Sequence, residues 1–496
     1  MYLGEPKMKK HFTLILILSQ LILALSFTGC QNTAPDPTTT TVSTEPESTL
    51  PETTRDSLPD DLNYGGQTVT IFAASDLPIV EFDAEQTGDI VDDAIYQRNV
   101  TVSERLNVDL NYIMQPGLWA DQDSYKGAIR GCVLSGDAEY DIVAGYGVFI
   151  ADLAVEQLFL NLNDTAYIDF DQKWWSDSLV KNLSLNGKLY FASGDISTNT
   201  IGTSFAVFFN KDLAEKYKLE NLYSLVDNGK WTLDKLFELS SEIYSDLNGD
   251  GIRGMEDQYG LVSQQTSFDN LYYSCGMNVV TPDKDKGMKV SPDFGSEKMA
   301  SLVEKLCTAF NQTEGISWYT EDSGDAVTVF KNKNALFMMA GLKVASISLR
   351  DAEFAYGVLP TPKWDEAQEN YLSTTSYLGS LYAIPLVVKD ADMSSAVIEA
   401  LAVEGYYTVA PAFFETAMKI KYTSDDDSAR MYDIIRDSRS YDFGRVFSTG
   451  GLKSIPGKIR GMVESDNPNW MSEYESNITK FETLLAALVE KLDTEG

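Results

Sequence analysis

Gln67-Thr68-Val69-Thr70-Ile71-Phe72-Ala73 is an apolar, β-branched run, the composition of a buried strand. Val91, Ile95, Val102 and Leu106 follow at i, i+4, i+11 and i+15, one stripe of a helix. Val108 to Ile113 reads as a second strand, Ser124 to Leu134 as a second helix, and Tyr140-Asp141-Ile142-Val143-Ala144 as a third strand. Strand, helix, strand, helix, strand predicts right-handed crossovers and a parallel sheet. Such sheets bind ligands outside the carboxyl ends of their strands. Here those ends are Ala74-Ser75-Asp76 and Gly145-Tyr146-Gly147.

Downstream, a second strand-and-helix alternation begins at Phe205 to Asn210, with helical stretches over Leu233–Tyr244, Ser296–Phe310, Ala391–Val409 and Ile478–Leu492. There is no internal repeat. Roughly 435 residues follow position 61, too many for one small core, which predicts two lobes.

Upstream, Lys9 and Lys10 precede an apolar run from Phe12 to Phe27, then Thr28-Gly29-Cys30. That order reads as an export signal, residues 1–29, with an uncleaved membrane anchor as the competing reading, against which the run is short for a span and ends in small residues. Thr-Gly-Cys resembles a bacterial lipobox, which implies that Cys30 is diacylated and holds the chain on the extracytoplasmic face of the cell membrane. Met8 before the two lysines is a better start than Met1. Residues 30–61 are rich in Thr and Pro and almost free of apolar side chains, so they read as a disordered tether. Such a tether reaches roughly 30 Å as a coil and up to about 90 Å if extended.

The chain carries 39 Lys+Arg against 74 Asp+Glu, a net charge of −35. A surface this acidic argues against nucleic-acid binding, which needs a basic face. The only histidine, His11, lies in the leader, which excludes Ser-His and Cys-His nucleophiles and His-ligated zinc from the exported part. Cys132, Cys275 and Cys307 form no CxxC pair. Buried free thiols are the first reading, and a Cys275–Cys307 disulfide stays open.

Several segments together resemble bacterial extracellular solute-binding proteins of the maltose-binding type (family 1). They are Asn186-Gly187-Lys188-Leu189-Tyr190-Phe191, Phe208-Phe209-Asn210-Lys211-Asp212-Leu213, and Lys230-Trp231-Thr232-Leu233-Asp234. Ala335-Leu336-Phe337-Met338-Met339-Ala340-Gly341, Tyr356-Gly357-Val358-Leu359-Pro360 and Gly379-Ser380-Leu381-Tyr382-Ala383-Ile384-Pro385 complete the set. Each is weak alone; their order over 65–410 carries the likeness, which fades over 411–496. The resemblance implies an α/β, two-lobed periplasmic-binding-protein-like (type II) fold with the ligand cleft between the lobes. It places 62–203 and 342–378 in lobe 1, and 206–340 and 382–496 in lobe 2. It also implies a monomer that captures a sugar or oligosaccharide, hands it to the permease subunits of an ABC importer, touches the membrane only through its lipid, and is not an enzyme.

Sugar sites need flat aromatic faces and a few fixed polar groups. Position then selects candidates. Ser75, Asp76 and Tyr146 follow strands of the first lobe, and Asp195, Ser197 and Asn199 precede the first lobe crossing. By the resemblance, Phe268 faces the cleft from the second lobe, Gly341 ends a strand at the second crossing, and Trp470 occupies a stacking region. Trp174, Trp175 and Trp231 read as structural, with Thr232 able to cap a helix. For each candidate from Ser75 to Trp470 named above, the competing reading is a plain loop or core residue.

The sharpest local motif runs from Asp246 to Asp257. Asp246, Asn248 and Asp250 fall at positions 1, 3 and 5 of an EF-hand-type loop, with Gly251 at 6, the Ile252 carbonyl at 7 and Asp257 at 12. The spacing predicts a structural Ca2+; aspartate at the last position resembles the dockerin version. The competing reading is an acidic turn without an ion.

Two other functions stay open. A carbohydrate-active hydrolase needs only a carboxylate pair. A sensory binding protein for a non-sugar solute, such as a peptide or polyol, would fill the same cleft.

Overall fold

The computed structural model describes residues 56–320, 324–377, 379–418 and 426–494. These lie in one compact unit, Thr54–Gly496. The export signal, Cys30 and the tether up to residue 55 lie outside the described residues.

In chain order the strands are β1 (Gln67–Ala74), β2 (Val108–Gln115), β3 (Ile142–Tyr146), β4 (Phe205–Asn210), β5 (Tyr244–Ser245) and β6 (Gln258–Gln264). Then come β7 (Val280–Asp283), β8 (Gly287–Val290), β9 (Ile316–Tyr319), β10 (Ala335–Gly341), β11 (Tyr356–Leu359) and β12 (Ser380–Ala383). The first sheet has the order β12-β3-β1-β2. Strands β1, β2 and β3 are parallel, with Gln67 opposite Val108 and Ile71 opposite Ile142, as the alternating pattern predicts. The second sheet runs β11-β4-β10-β6-β5, with β9 also on β6. Strands β7 and β8 form a separate hairpin.

The helix α1 (Ile90–Leu106) buries Val91, Ile95, Val102 and Leu106, and the stripe has one further member, Arg98. Arg98 is fully buried; its guanidinium donates to the Ile196 carbonyl at 3.2 Å and the Glu81 carbonyl at 2.5 Å. A charged side chain at i+7 of an apolar stripe is therefore satisfied by backbone acceptors, as a buried cation must be. Beneath β1, Phe72 stacks on Tyr125 and Tyr140 with centroids 5.0 and 4.5 Å apart.

Strand pairing corrects the expected lobe boundaries. The segment 342–378 sends β11 antiparallel onto β4, so this strand belongs to the second sheet rather than the first. Its Tyr356 lies in the aromatic layer of Phe208 and Phe330, which anchors it there. The segment 382–496, expected in the second lobe, begins in the first: β12 pairs antiparallel with β3, and the helix Ala391–Glu404 packs on α1. The last helix, Trp470–Asp493, packs on the second-lobe helix Glu297–Cys307 and reaches back to the first lobe, where the Tyr190 hydroxyl donates to the Leu492 carbonyl at 2.7 Å. Contacts at that range, invisible to periodicity, decided the boundaries.

Smaller corrections have local causes. The tether ends before 61: Asp56 pairs with Arg105 and Leu58 is buried. The helix from Leu233 stops at Ser240 because Tyr244 is drawn into β5, opposite Tyr259. Trp174 and Trp175 are core, both indole N–H groups donating at 2.9 Å to the buried Glu399, whose carboxyl burial pushes up to about 7. Trp231 is buried with its N–H on the Pro360 carbonyl, and Thr232 caps its helix. Cys132, Cys275 and Cys307 are buried free thiols.

Candidate ligand-binding site

A cavity of about 480 Å³ opens where the carboxyl ends of β3, β6 and β10 meet the loop after β2. The cavity thus lies at strand carboxyl ends of both sheets, where open α/β sheets place their ligand crevices.

The first-lobe wall is aromatic. Tyr146, the last residue of β3, stacks on Phe149 at 4.5 Å and 18°. Trp119 leans over both, 6.3 Å from Tyr146 and 5.5 Å from Phe149. Trp119 is 55 % exposed, while the other six tryptophans are buried or half-buried. Asp76 sets its position by accepting from the Gly117 N–H at 2.8 Å and the Leu118 N–H at 3.4 Å, which fixes the turn leading into Trp119. Burial pushes the Tyr146 hydroxyl up to about 12, so it is a neutral donor at ordinary pH.

The second-lobe wall is polar and charged. Gln264, Thr266, Ser267 and Asp269 line it, with Lys343, Arg445 and Arg460. Asp269 sits between two guanidinium groups: Arg460 Nε donates to its Oδ1 at 3.1 Å, a second Arg460 nitrogen meets Oδ2, and Arg445 Nη1 lies 3.5 Å from Oδ2. Arg445 is nearly buried, lies over the Tyr377 ring at 4.2 Å and donates to the Thr375 carbonyl at 2.9 Å.

Of the residues selected from sequence, Tyr146 and Gly341 line this cavity. A Cβ on Gly341 would come 3.2 Å from the Gly202 carbonyl, a close approach of two backbones. Asp76 acts behind the wall by holding the Trp119 turn. Ser75 is exposed, lies away from the cavity wall, and bonds through its N–H to Gln115. Phe268 is a correction: it is fully buried against Phe310 and Trp318, while Ser267 and Asp269 on either side face the cavity. At about 100° per helical residue, one position decides core or cleft. Trp470 is another: it is buried edge-on to Phe294, its N–H on the Phe294 carbonyl at 2.8 Å.

The polar trio before the first crossing is structural as well. Asp195 is buried and ion-paired at 2.6 Å to both Arg436 and Arg439. Ser197 donates to Glu81 at 2.6 Å and caps a short helix by accepting from the Thr200 N–H. Asn199 is buried, its amide donating to the Ser380 hydroxyl at 3.4 Å.

The sequence reading missed Trp119 although the signal was available: it follows the carboxyl end of the second strand, and the same rule applies there. Arg445 and Arg460 had no local signal, since they lie on C-terminal turns brought to the cleft from far along the chain.

The loop from Asp246 to Asp257 joins β5 to β6 on the surface, apart from the cavity. Asp246 accepts from the Gly249 and Gly251 N–H groups at 2.6 and 2.9 Å, and Asp250 from the Ile252 N–H at 2.7 Å. Asn248 accepts from the Asp250 N–H, and buried Asp257 accepts from the Leu247 and Gly254 N–H groups and the Tyr244 hydroxyl. The donors are the hard oxygens calcium takes, and Gly249 and Gly251 supply the bend with φ of 75° and 70°. Among the described residues no three His, Cys, Asp or Glu side chains already converge as a metal cluster.

A profile of the family described as bacterial extracellular solute-binding protein matches residues 119–391. Among solved structures, the chain is similar to the GacH receptor of Streptomyces glaucescens, at 14 % identity over 84 % of this chain and 99 % of that one, with a TM-score of 0.54. It is also similar to UgpB from Mycobacterium tuberculosis in complex with glycerophosphocholine, at 15 % identity, 86 % and 100 % coverage and a TM-score of 0.55. A third is the extracellular solute-binding protein from Staphylococcus aureus in complex with maltose, at 12 % identity, 84 % and 98 % coverage and a TM-score of 0.54. At these identities the likeness shows the fold. No curated protein matches the chain. The two sheets, the cavity at their carboxyl ends and a profile match over more than half of the 496 residues lead to one conclusion: the chain belongs to the bacterial extracellular solute-binding protein family, whose members work outside the cytoplasm.

Proposed function

We propose that this chain captures a sugar or oligosaccharide in the cleft and passes it unaltered to the permease subunits of an ABC importer. The observation that carries the reading is Trp119, an exposed indole held over Tyr146 and Phe149 in a cavity whose other wall is polar. An exposed indole beside fixed polar groups is the arrangement that packs on a sugar ring. A hydrolase would need two available carboxylates. The two carboxylates lining the cavity among the described residues are committed, Asp269 to arginines and Asp325 to capping a helix through the Val327 N–H and Thr328 hydroxyl.

The test is a thermal-shift screen of the purified chain against mono- and oligosaccharides. At least one is expected to raise the melting point and to be recovered unchanged after a day. Trp119→Ala is expected to weaken that binding about thirtyfold, on the order of 2 kcal/mol. Conversion of the sugar at stoichiometric yield or more would move the chain to the hydrolases.

We further propose that Cys30 carries the lipid that holds the protein at the membrane. Thr28-Gly29-Cys30 behind an apolar run supports this, and among the described residues no helix is long and apolar enough to cross a membrane. Cell fractionation checks it: Cys30→Ala is expected to leave the membrane fraction, and equal retention would end the idea. The 246–257 loop is proposed to hold a structural calcium through Asp246, Asn248, Asp250, the Ile252 carbonyl and Asp257.

A further inference from the structure

The charges facing the cavity are unlike those of the rest of the chain. The protein carries −35 overall. Yet the charged residues lining the cavity, among those described, are Lys343, Arg445 and Arg460 against Asp269 and Asp325, a surplus of positive charge. An acidic exterior repels anions at long range, but at physiological salt that field fades over about 8 Å, so local groups decide what the cleft holds.

The carboxylates are spent. Asp269 is shared by two guanidinium groups, and the buried Asp442 carboxyl also faces Arg445, so among the described residues Lys343 is the lining cation left without a carboxylate beside it. Asp325 turns both oxygens to the start of a helix. Lys343, half-buried just past the end of β10, has no ion-pair partner among the described residues. Burial pulls its ammonium below the ordinary lysine pKa, with no neighbouring charge opposing that shift. A cation held partly out of water without a partner costs free energy that an arriving anion recovers. A neutral sugar offers only hydroxyls and would leave that cost in place.

We infer that the solute of this cleft is an acidic saccharide, one bearing a carboxylate or other oxyanion as a uronic acid does, with Lys343 and the Arg445–Arg460 pair holding the acid and Trp119 covering the ring. This rests on the sugar reading above. Guanidinium forks suit planar oxyanions, whereas the lysine acts as a point charge.

Calorimetry on the purified full chain tests the inference with digalacturonate against neutral galactobiose, galactose 6-sulfate against galactose, and citrate as an acid without a sugar. An acidic sugar is expected to bind at least tenfold tighter than its neutral counterpart. Raising sodium chloride from about 50 to about 500 mM is expected to weaken the acidic ligand far more than the neutral one. Lys343→Gln, at a half-buried position with no partner to orphan, is expected to bring the acid-to-neutral ratio down at least fivefold. The two acidic sugars distinguish a carboxylate from a sulfate source. Neutral sugars binding as tightly as their acids, or a ratio unmoved in Lys343→Gln, overturns the inference and leaves the sugar reading standing. Citrate binding with no saccharide binding sinks the sugar reading and with it the acidic-saccharide assignment. No binding by any probe overturns both.

Discussion

Asp195→Ala is expected to lose about 3–5 kcal/mol of folding stability, the usual cost of breaking a buried ion pair from one side. Asp195 is 1 % exposed and accepts from two arginines at 2.6 Å, one on each carboxylate oxygen. Removing it leaves Arg436 and Arg439, which are 17 and 11 % exposed, without a direct ion-pair partner, Asp437 being the carboxylate that remains near both. Repulsion between them adds to the lost hydrogen bonds. The site also joins distant parts of the chain: Asp195 precedes the first crossing, and Arg436 ends a helix, Asp426–Asp437, that packs on β11 of the second sheet. Urea unfolding measures the loss from the midpoint and slope. A drop below about 1 kcal/mol would show that the pair is solvated and structurally idle. Because Asp195 does not line the cavity, saturating ligand is expected to stabilise the folded variant and the wild type by similar increments.

Calcium at about 100 times its dissociation constant is expected to add roughly 2.7 kcal/mol to the stability of the wild-type chain. The loop's oxygens already fold back on their own amides, so the ion meets a short loop with two glycine bends rather than an open coil. Asp257, buried at the far end, ties the site to the start of β6. Asp250→Ala removes one ligand and the acceptor for the Ile252 N–H, so less than half of the calcium increment is expected to remain. Melting with calcium and with chelator, in both proteins, decides it. Four identical melting points would return the loop to a plain acidic turn.

How far residues can be read depends on the range of the forces that place them. The strands and helix stripes of the first lobe were legible because hydrophobic alternation and the 3.6-residue period are local properties. Thr232 as a cap followed from local capping chemistry, whereas Trp174 and Trp175 as structural residues followed from the family resemblance. The cleft residues were legible only where a strand end dictated them, as at Tyr146 and Gly341. Phe268 shows the limit: the correct segment was found, but rotation about a helix start sent its ring into the core and its neighbours into the cleft. Asp195 and Ser197 sat where polar ligand contacts were expected, yet an arginine pair from more than 240 positions away and Glu81 consumed them.

By itself, then, the sequence determined the parallel pairing of β1, β2 and β3 in the first sheet, the second strand-and-helix alternation, a single histidine at position 11 and the oxygen spacing of the 246–257 loop. Each depends on composition or on spacing within a few turns of chain. Only the tertiary structure decided that β11 joins the second sheet and β12 the first, that Trp119 stands exposed over Tyr146, and that Lys343, Arg445 and Arg460 share a cavity with Asp269. Those outcomes come from pairing and charge between residues up to hundreds of positions apart. There the free energy belongs to neighbours in space, and sequence order carries no trace of it.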